Sequence, residues 1–308
     1  MRPARNLFEE EELIHIYQNT INGSLLFYSI SDYLVLLSLI SVAARSCGIS
    51  VICLCIMIDH IHLLIHVADR KTLERFVMLY TSPFVRLYNT SSGRAGPLFH
   101  SPFGWSVKTG FKKIRTAIAY NLNNPVEKKL CKKAEDYPWN FLAYGSSSHP
   151  FSMPLVKSHA SQPLRKACRI IDAFYNRGEA INYALLQTIS TKLDNEEKKQ
   201  LTDYVIRKYN PIDYKSLIGY YGSISSLLTA VHSNTGSEYD IREDTLGGDD
   251  TVYRRITTFF LKERILDNLK CIPGLPEGER RKLLSLILTH VPAVKKKQAA
   301  KYLHLPFP

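Results

Sequence analysis

The sequence predicts an α+β protein, with an antiparallel sheet and helices in its first half and a mostly helical second half. Two observations lead to this fold class. Ile49–Ile58 and His60–Val67 are strand-like and are separated only by Asp59, so they predict a hairpin. Helical periodicity lies between and after the strand-like runs, and it predominates beyond residue 163. The mixed order of elements indicates a sheet with helices on one face.

The remaining elements of the first half follow from local signals. Glu12–Gln18 is a short strand-like run. A helix is predicted from about Tyr33 to Ala44, because Ser31-Asp32 can cap its start and Gly48 ends it. A second helix is predicted over 71–88, and a third is expected to start near Lys108 and run to Pro125.

Length and composition indicate two globular domains. The chain has 308 residues, of which 45% are hydrophobic and 22% charged, so a disordered or collagenous chain is excluded. A stretch rich in Ser, Pro and His surrounds residues 151–162 and reads as a linker. We therefore predict a sheet-containing domain over 1–150 and a helical domain over 163–308.

The net charge of +12 favours an anionic partner, either nucleic acid or a membrane surface. No apolar stretch reaches the roughly 18 residues that a membrane span needs, and the N-terminal residues lack the apolar segment of a secretory signal. The six cysteines are scattered and form no disulfide framework in a chain of this length. We expect a cytoplasmic protein with no membrane partner.

Basic residues are densest between Lys108 and Lys133, where the sequence contains eight Lys and Arg residues and a single Glu. Such a run is most often a solvated helix face. The alternative is contact with phosphates, for which the candidates are Lys108, Lys112, Lys113 and Arg115.

His60 and His62 lie two residues apart on a predicted strand, so both side chains point to one face with Cα atoms roughly 6.6–7 Å apart. That spacing suits two ligands of one metal ion. A lone His-x-His pair is more often exposed or hydrogen-bonded. His66 shares the face but lies about 13 Å further along, too far for the same ion.

Tyr120 and Asn124 are spaced i, i+4 on a predicted helix and therefore share one face. Core packing is the usual role of a tyrosine in a chain that has 18 of them. Because Pro125 disfavours helical geometry in the preceding residue, Asn124 is expected at a helix end or kink.

Taken together, these pieces make the chain resemble the IS200-like and REP-associated tyrosine transposases, which are single-tyrosine HUH nucleases. The resemblance covers roughly residues 13–145 and rests on the order and spacing of five pieces. They are IHIYQNT, IMIDHIHLLI, NTSSGRAGPLFHSPF, AYNLNNPV and EDYPWNFLAY.

The resemblance implies a ferredoxin-like HUH nuclease domain that cleaves and rejoins single-stranded DNA. His60 and His62 would bind a divalent cation, Mg²⁺ or Mn²⁺, and Asn124 would complete the site. Tyr120 would attack a DNA phosphate to give a 5′-phosphotyrosine and a free 3′-hydroxyl. The partners implied are single-stranded or hairpin DNA, for a bacterial transposase acting as monomer or homodimer. This favours phosphate contact for the basic run.

The chain departs from the family pattern at two places. The family usually has Pro-Asn before the first histidine, where this chain has Ile58-Asp59. Asp59 can cap the turn equally well, or it adds negative charge to the site. The family favours a basic residue where this chain has Ser101-Pro102.

Several alternatives stay open. A DNA-binding regulator that keeps the fold without cleaving is the main rival, while the single candidate tyrosine disfavours a replication-type nickase.

Cys53 and Cys55 are expected to be buried thiols rather than zinc ligands. His100 and Trp105 are expected to pack, with base stacking as second choice. Residues 283–305 resemble the start of a helix-turn-helix, and an ordinary helical hairpin is equally favoured. Either Lys295–Tyr302 is the recognition helix or the motif is incomplete.

Overall fold

The sheet has four strands, β1 (Glu12–Asn19), β2 (Ser50–Ile56), β3 (His60–His66) and β4 (Gly104–Thr109). Their spatial order is β2-β3-β1-β4. The computed structural model describes residues 12–101, 103–233, 251–266 and 268–305. All pairings within the sheet are antiparallel. The α+β class predicted from the sequence is therefore confirmed.

The predicted hairpin is confirmed as β2 and β3, joined by a tight turn in which the Met57 amide donates to the His60 carbonyl at 2.8 Å. Both strands are rich in β-branched and aliphatic residues and are buried along almost their whole length. The register of β1 on β3 places Tyr17 opposite His62 and Asn19 opposite His60. Both predicted histidines therefore lie on one face of a central strand.

Three helices accompany the sheet, and the first two are longer than predicted. The first starts where the Asp32 carboxylate accepts the Ser29 amide at 2.8 Å, and it ends at Gly48, which has φ 63°. Asp69 caps the second by accepting from the Thr72 amide at 2.7 Å. The helices are α1 (Ile30–Cys47), α2 (Arg70–Ser92) and α3 (Phe111–Glu127).

The third helix begins and ends later than the sequence predicted. Residues around Lys108 belong to β4 rather than to the helix, which starts after Gly110 at φ 78°. Pro125 lies inside the helix, and because it has no N–H it costs only one backbone hydrogen bond near the helix end. The expected helix end at Asn124 is therefore wrong by three residues, and a kink there stays a prediction.

Helices cover both faces of the sheet, so the prediction of helices on one face is wrong. The Tyr80 hydroxyl of α2 donates to Gln18 at 3.1 Å, and Gln18 points away from the face of Tyr17 and His62. On the opposite face, Asn124 of α3 contacts His62. The near-continuous apolar sequence of β2 and β3 is the physical reason, since such strands are buried on both sides.

Five further helices pack against the sheet and its helices. Their buried residues join those of the sheet in one hydrophobic core. Two contacts show the docking: the Asp213 amide donates to the Val51 carbonyl at 2.8 Å, and the Tyr214 hydroxyl donates to the Phe141 carbonyl at 2.7 Å. The domain division at 151–162 stays a prediction. These helices are α4 (Gln162–Asn176), α5 (Tyr183–Ser190), α6 (Asn195–Tyr209), α7 (Tyr214–Gly219) and α8 (Ile224–His232).

A second hydrophobic core forms around the last three helices and includes Phe260, Ile287 and Tyr302. A buried ion pair between Lys270 and Asp32 connects this part of the chain to α1. The predicted helix, turn and basic helix are present as the last two elements, and their role as a helix-turn-helix stays a prediction. The helices are α9 (Thr251–Lys262), α10 (Glu277–His290) and α11 (Lys296–Tyr302).

By length and composition, α1 would suffice to cross a membrane, and it is longer than the apolar stretch predicted from the sequence. However, 67% of it is buried inside the protein, as is typical of a core helix. Two regions that were interpreted from the sequence lie outside the described residues, the N-terminal segment over 1–11 and the departure at Pro102.

Candidate active site

The β2–β3 hairpin and α3 bring four predicted residues together. The rings of His60 and His62 lie with centroids 4.9 Å apart and are nearly perpendicular. The Tyr120 ring lies 5.9 Å from the His62 ring. Nδ2 of Asn124 lies 3.3 Å from Nε2 of His62. The i, i+4 spacing thus presents a phenol and an amide to the same imidazole, that of His62, whose ring lies beside that of His60.

Tyr120 is almost buried, with 7% of its surface exposed. It lies on the side of α3 that faces the sheet, where its ring contacts that of His62, and all residues of the helix from 117 to 125 are buried. Packing therefore fixes the position of the Tyr120 ring. The ring of an exposed tyrosine on a helix would have no such fixed position. Rigid placement is what a nucleophile needs when it must meet a second group held on a different element.

His15 is a member of the site that the sequence did not reveal. Its Nε2 lies 3.1 Å from Nδ1 of His62, and the two rings stack with centroids 5.2 Å apart. His15 is 1% exposed and lies on β1. Strand alternation puts His15 and Tyr17 on one face, but only the pairing of β1 with β3 shows that this is the face of His62.

Asp59 contacts His60, the first histidine of the pair on β3. Its Oδ1 lies 2.6 Å from Nδ1 of His60, and its Oδ2 lies 2.9 Å from Nζ of Lys301 on α11. Burial raises the pKa of Asp59, but the hydrogen bond with His60 and the charge of Lys301 outweigh burial and hold the pKa well below its usual range. The negative charge that Asp59 adds, where the family usually has asparagine, is therefore paired with the ammonium of Lys301.

These residues fit a divalent cation. Oδ1 of Asn124 is buried and has no hydrogen-bond partner among the described residues. Because His15 and Asp59 engage Nδ1 of His62 and His60, Nε2 is the atom through which either ring would bind a metal. Imidazole nitrogen and amide oxygen are suitable ligands. The described part of the chain contains no group of three or more His, Cys, Asp or Glu placed to hold a metal ion.

The predicted phosphate-binding residues lie before Tyr120 in the chain. Lys112 and Lys113 are exposed at the start of α3, and Lys113 lies two turns, about 10 Å, from Tyr120 along the helix axis. Lys108 on β4 is half-buried, and burial together with nearby Lys113 lowers its pKa. The Arg115 guanidinium stacks over the Tyr221 ring at 4.8 Å. Their contact with DNA stays a prediction.

The remaining candidates lie away from this constellation or within the core. His66 contacts the Glu12 carbonyl at 3.1 Å and the Tyr220 hydroxyl at 3.2 Å at the far end of β3, as its distance along the strand predicted. Cys53 and Cys55 are fully buried, and burial raises the pKa of the Cys53 thiol above its ordinary value. They are core thiols, as expected.

The predictions for His100 and Trp105, which precede α3, have different outcomes. Trp105 on β4 is partly buried and packs against the main core, as predicted. His100 is exposed, and its backbone amide donates to the Asn19 carbonyl at 2.9 Å. The packing expected for His100 is therefore not observed, and base stacking by either residue stays a prediction.

Comparison with known proteins supports the resemblance seen in the motifs. Residues 24–140 match the family described as IS200-like transposases, which confirms the resemblance over this part of the chain. A solved structure of a REP-associated tyrosine transposase bound to a REP hairpin is 14% identical. That comparison covers 53% of this chain and 98% of the other, with a TM-score of 0.38. No curated protein matches this chain.

Proposed function

We propose that this protein cleaves and rejoins single-stranded DNA through a 5′-phosphotyrosine, as a metal-dependent transposase acting on hairpin-forming elements. The placement of Tyr120 and Asn124 against His62, whose ring lies beside that of His60, carries the proposal. The family match over 24–140 includes all four residues. Here Tyr120 is the nucleophile, and His60, His62 and Asn124 hold the cation.

The reaction exchanges one phosphate ester for another. The Tyr120 oxygen forms a bond to phosphorus, and the bond from phosphorus to the 3′ oxygen breaks. The phenol proton is lost to solvent, and the departing 3′ oxygen takes up a proton to become a hydroxyl. A free phenol has a pKa near 10 and is a modest nucleophile. A bound divalent cation polarises the phosphate and stabilises the negative charge that develops on it.

Reversal explains why the enzyme would need no nucleotide cofactor. The phosphotyrosine bond retains the energy of the broken DNA ester, so a different 3′-hydroxyl can attack it and release Tyr120. The histidines and Asn124 are expected to keep their places in both directions because they belong to the buried strand β3 and to the buried part of α3. Cleavage followed by such an attack joins strands, which is the chemistry of transposition.

Covalent capture of DNA tests the proposal directly. The protein is incubated with a fluorescent oligonucleotide that forms a hairpin with single-stranded flanks, in Mg²⁺, Mn²⁺ or EDTA, and adducts are resolved on a denaturing gel. The expected result is a metal-dependent adduct that Tyr120→Phe abolishes. Tyr17→Phe is the matched control, because Tyr17 lies opposite His62 in the sheet register yet has no proposed role.

The same gel separates the main rival. A regulator that keeps the fold without cleaving would bind the oligonucleotide and form no adduct with or without metal. An adduct that survives in Tyr120→Phe would overturn the assignment of the nucleophile. An adduct unaffected by EDTA would overturn the metal dependence.

A further inference from the structure

We propose that Asp59 and Lys301 are positioning residues of the cation site, and that α11 thereby supports the β2–β3 hairpin from the far end of the chain. The inference rests on the proposed function. It concerns this chain's departure from the family pattern, at the residue immediately before the first histidine.

A single carboxylate joins the two elements. Asp59 uses one oxygen for Nδ1 of His60 at 2.6 Å and the other for Nζ of Lys301 at 2.9 Å. Asp59 and Lys301 are 242 residues apart in the sequence. The side chains of both are 19% exposed and that of His60 is 9% exposed, so water reaches this chain of contacts only in part.

The chemistry of imidazole explains what Asp59 does. A carboxylate that accepts the Nδ1–H of a histidine fixes the tautomer, leaves the lone pair on Nε2 and stops the ring from rotating. Such outer partners make a metal-binding histidine a better ligand. Lys301 acts on the second oxygen, and it therefore holds the plane of the carboxylate while the first oxygen faces His60.

Lys301 is well placed for this role because its helix is anchored. Ala299, Ala300 and Tyr302 are buried in the second core, and the Tyr28 hydroxyl contacts the Tyr302 carbonyl at 3.4 Å. The Lys301 ammonium also lies 5.8 Å from the centre of the Tyr253 ring. An isolated surface lysine would sample many conformations and contribute little, whereas this one is held from two sides.

Metal affinity and imidazole tautomer are the decisive measurements, because neither requires DNA cleavage. Mn²⁺ binding is measured by calorimetry on the full chain. The tautomer of His60 is read from ¹⁵N chemical shifts of the metal-free protein. We expect Asp59→Ala to weaken Mn²⁺ binding about 10- to 100-fold and to redistribute the proton between Nδ1 and Nε2 of His60.

Conservative variants separate positioning from general stability. Asp59→Asn keeps an oxygen acceptor and is expected to restore part of the affinity. Lys301→Met is expected to weaken binding about tenfold, and Lys301→Arg to restore it. Lys296→Met is the control, since it removes the same charge from an exposed position on the same helix without touching Asp59, and its Mn²⁺ affinity is expected to stay that of the wild type.

The outcomes separate this inference from the proposed function. If His60→Ala leaves Mn²⁺ affinity unchanged, the cation site itself is wrong. If His60→Ala abolishes binding while the Asp59 and Lys301 variants bind like wild type with an unchanged tautomer, only the positioning role is overturned. Melting temperatures of all variants identify any loss that comes from unfolding.

Discussion

Nε2 of His15 lies 3.1 Å from Nδ1 of His62, so the histidine nearest Tyr120 is held by a second histidine on the neighbouring strand. The planes of the two rings are inclined by only 26°, with centroids 5.2 Å apart. Since His62 also contacts Asn124, its ring is fixed on two sides. Each metal-binding candidate on β3 thus has its own partner at Nδ1, His15 for His62 and Asp59 for His60.

Replacing His15 by leucine is expected to weaken Mn²⁺ binding about tenfold while the protein stays folded, because His62 loses the partner that fixes its tautomer. Calorimetry on the metal-free protein measures this effect, and the rate of adduct formation is expected to fall with it. His66→Gln serves as control, since His66 lies at the far end of the same strand and contacts Tyr220. Equal affinity in His15→Leu and wild type would contradict the prediction.

Tyr120 is expected to act with the histidines of its own chain. Its ring lies 5.9 Å from the His62 ring of the same protein. Mixing Tyr120→Phe with His62→Ala therefore gives no adduct on a hairpin oligonucleotide, because neither variant holds both groups. Recovery of adduct in the mixture would instead show that a second copy supplies the tyrosine.

Neutralising Lys112 and Lys113 is expected to lower the salt dependence of DNA binding. Both are exposed at the start of α3, and each phosphate contact to a single strand contributes about 0.7 to the slope of log affinity against log salt concentration. The Lys112→Gln, Lys113→Gln double variant should therefore lose about 1.4 from that slope. Fluorescence anisotropy with a tailed hairpin measures it, in a Tyr120→Phe background that prevents cleavage.

The control for that experiment is another adjacent pair of exposed lysines near the start of a helix. Lys198 and Lys199 on α6 fulfil this description. Their double substitution by glutamine removes the same net charge. If it lowers the slope as much as the α3 pair does, the effect is a general one of net charge rather than of local contact.

Local periodicity was sufficient to predict the centre of the site. Alternation in a strand placed His60 and His62 on one face, and the helical repeat placed Tyr120 and Asn124 on one side of a helix. Each pair depends only on geometry within one element. For the same reason, the hairpin of β2 and β3 was predicted almost to its ends.

The partners that hold these residues depend on long-range packing and could not be predicted. His15 meets His62 only because β1 inserts beside β3 in an antiparallel register. Lys301 meets Asp59 only because α11 folds back onto the hairpin. The start of α3 was misplaced because Lys108 was grouped with the lysines after it, although pairing with β1 puts Lys108 in a strand opposite Leu13.

Stability is expected to fall in mild acid because of His304, which follows α11. Burial, together with the nearby charges of Arg94 and Arg280, lowers its pKa to about 4 from an ordinary value of 6.5. The unfolded chain therefore takes up this proton first as pH falls. The free energy of unfolding contributed by neutral His304 is fully present above pH 6.5 and is lost as pH falls toward 4. At pH 5 the loss is already about 2 kcal/mol.

Urea unfolding at pH 7 and pH 5 measures the loss, and His304→Gln is expected to make the two curves more alike. Some dependence remains, because burial also lowers the pKa of His66. His304 contacts the Tyr28 hydroxyl through Nε2 at 3.1 Å, and glutamine can keep a hydrogen bond there. His159→Gln, at an exposed position outside the helices, should leave the wild-type difference intact. An unchanged difference in His304→Gln would mean that other groups control the acid sensitivity.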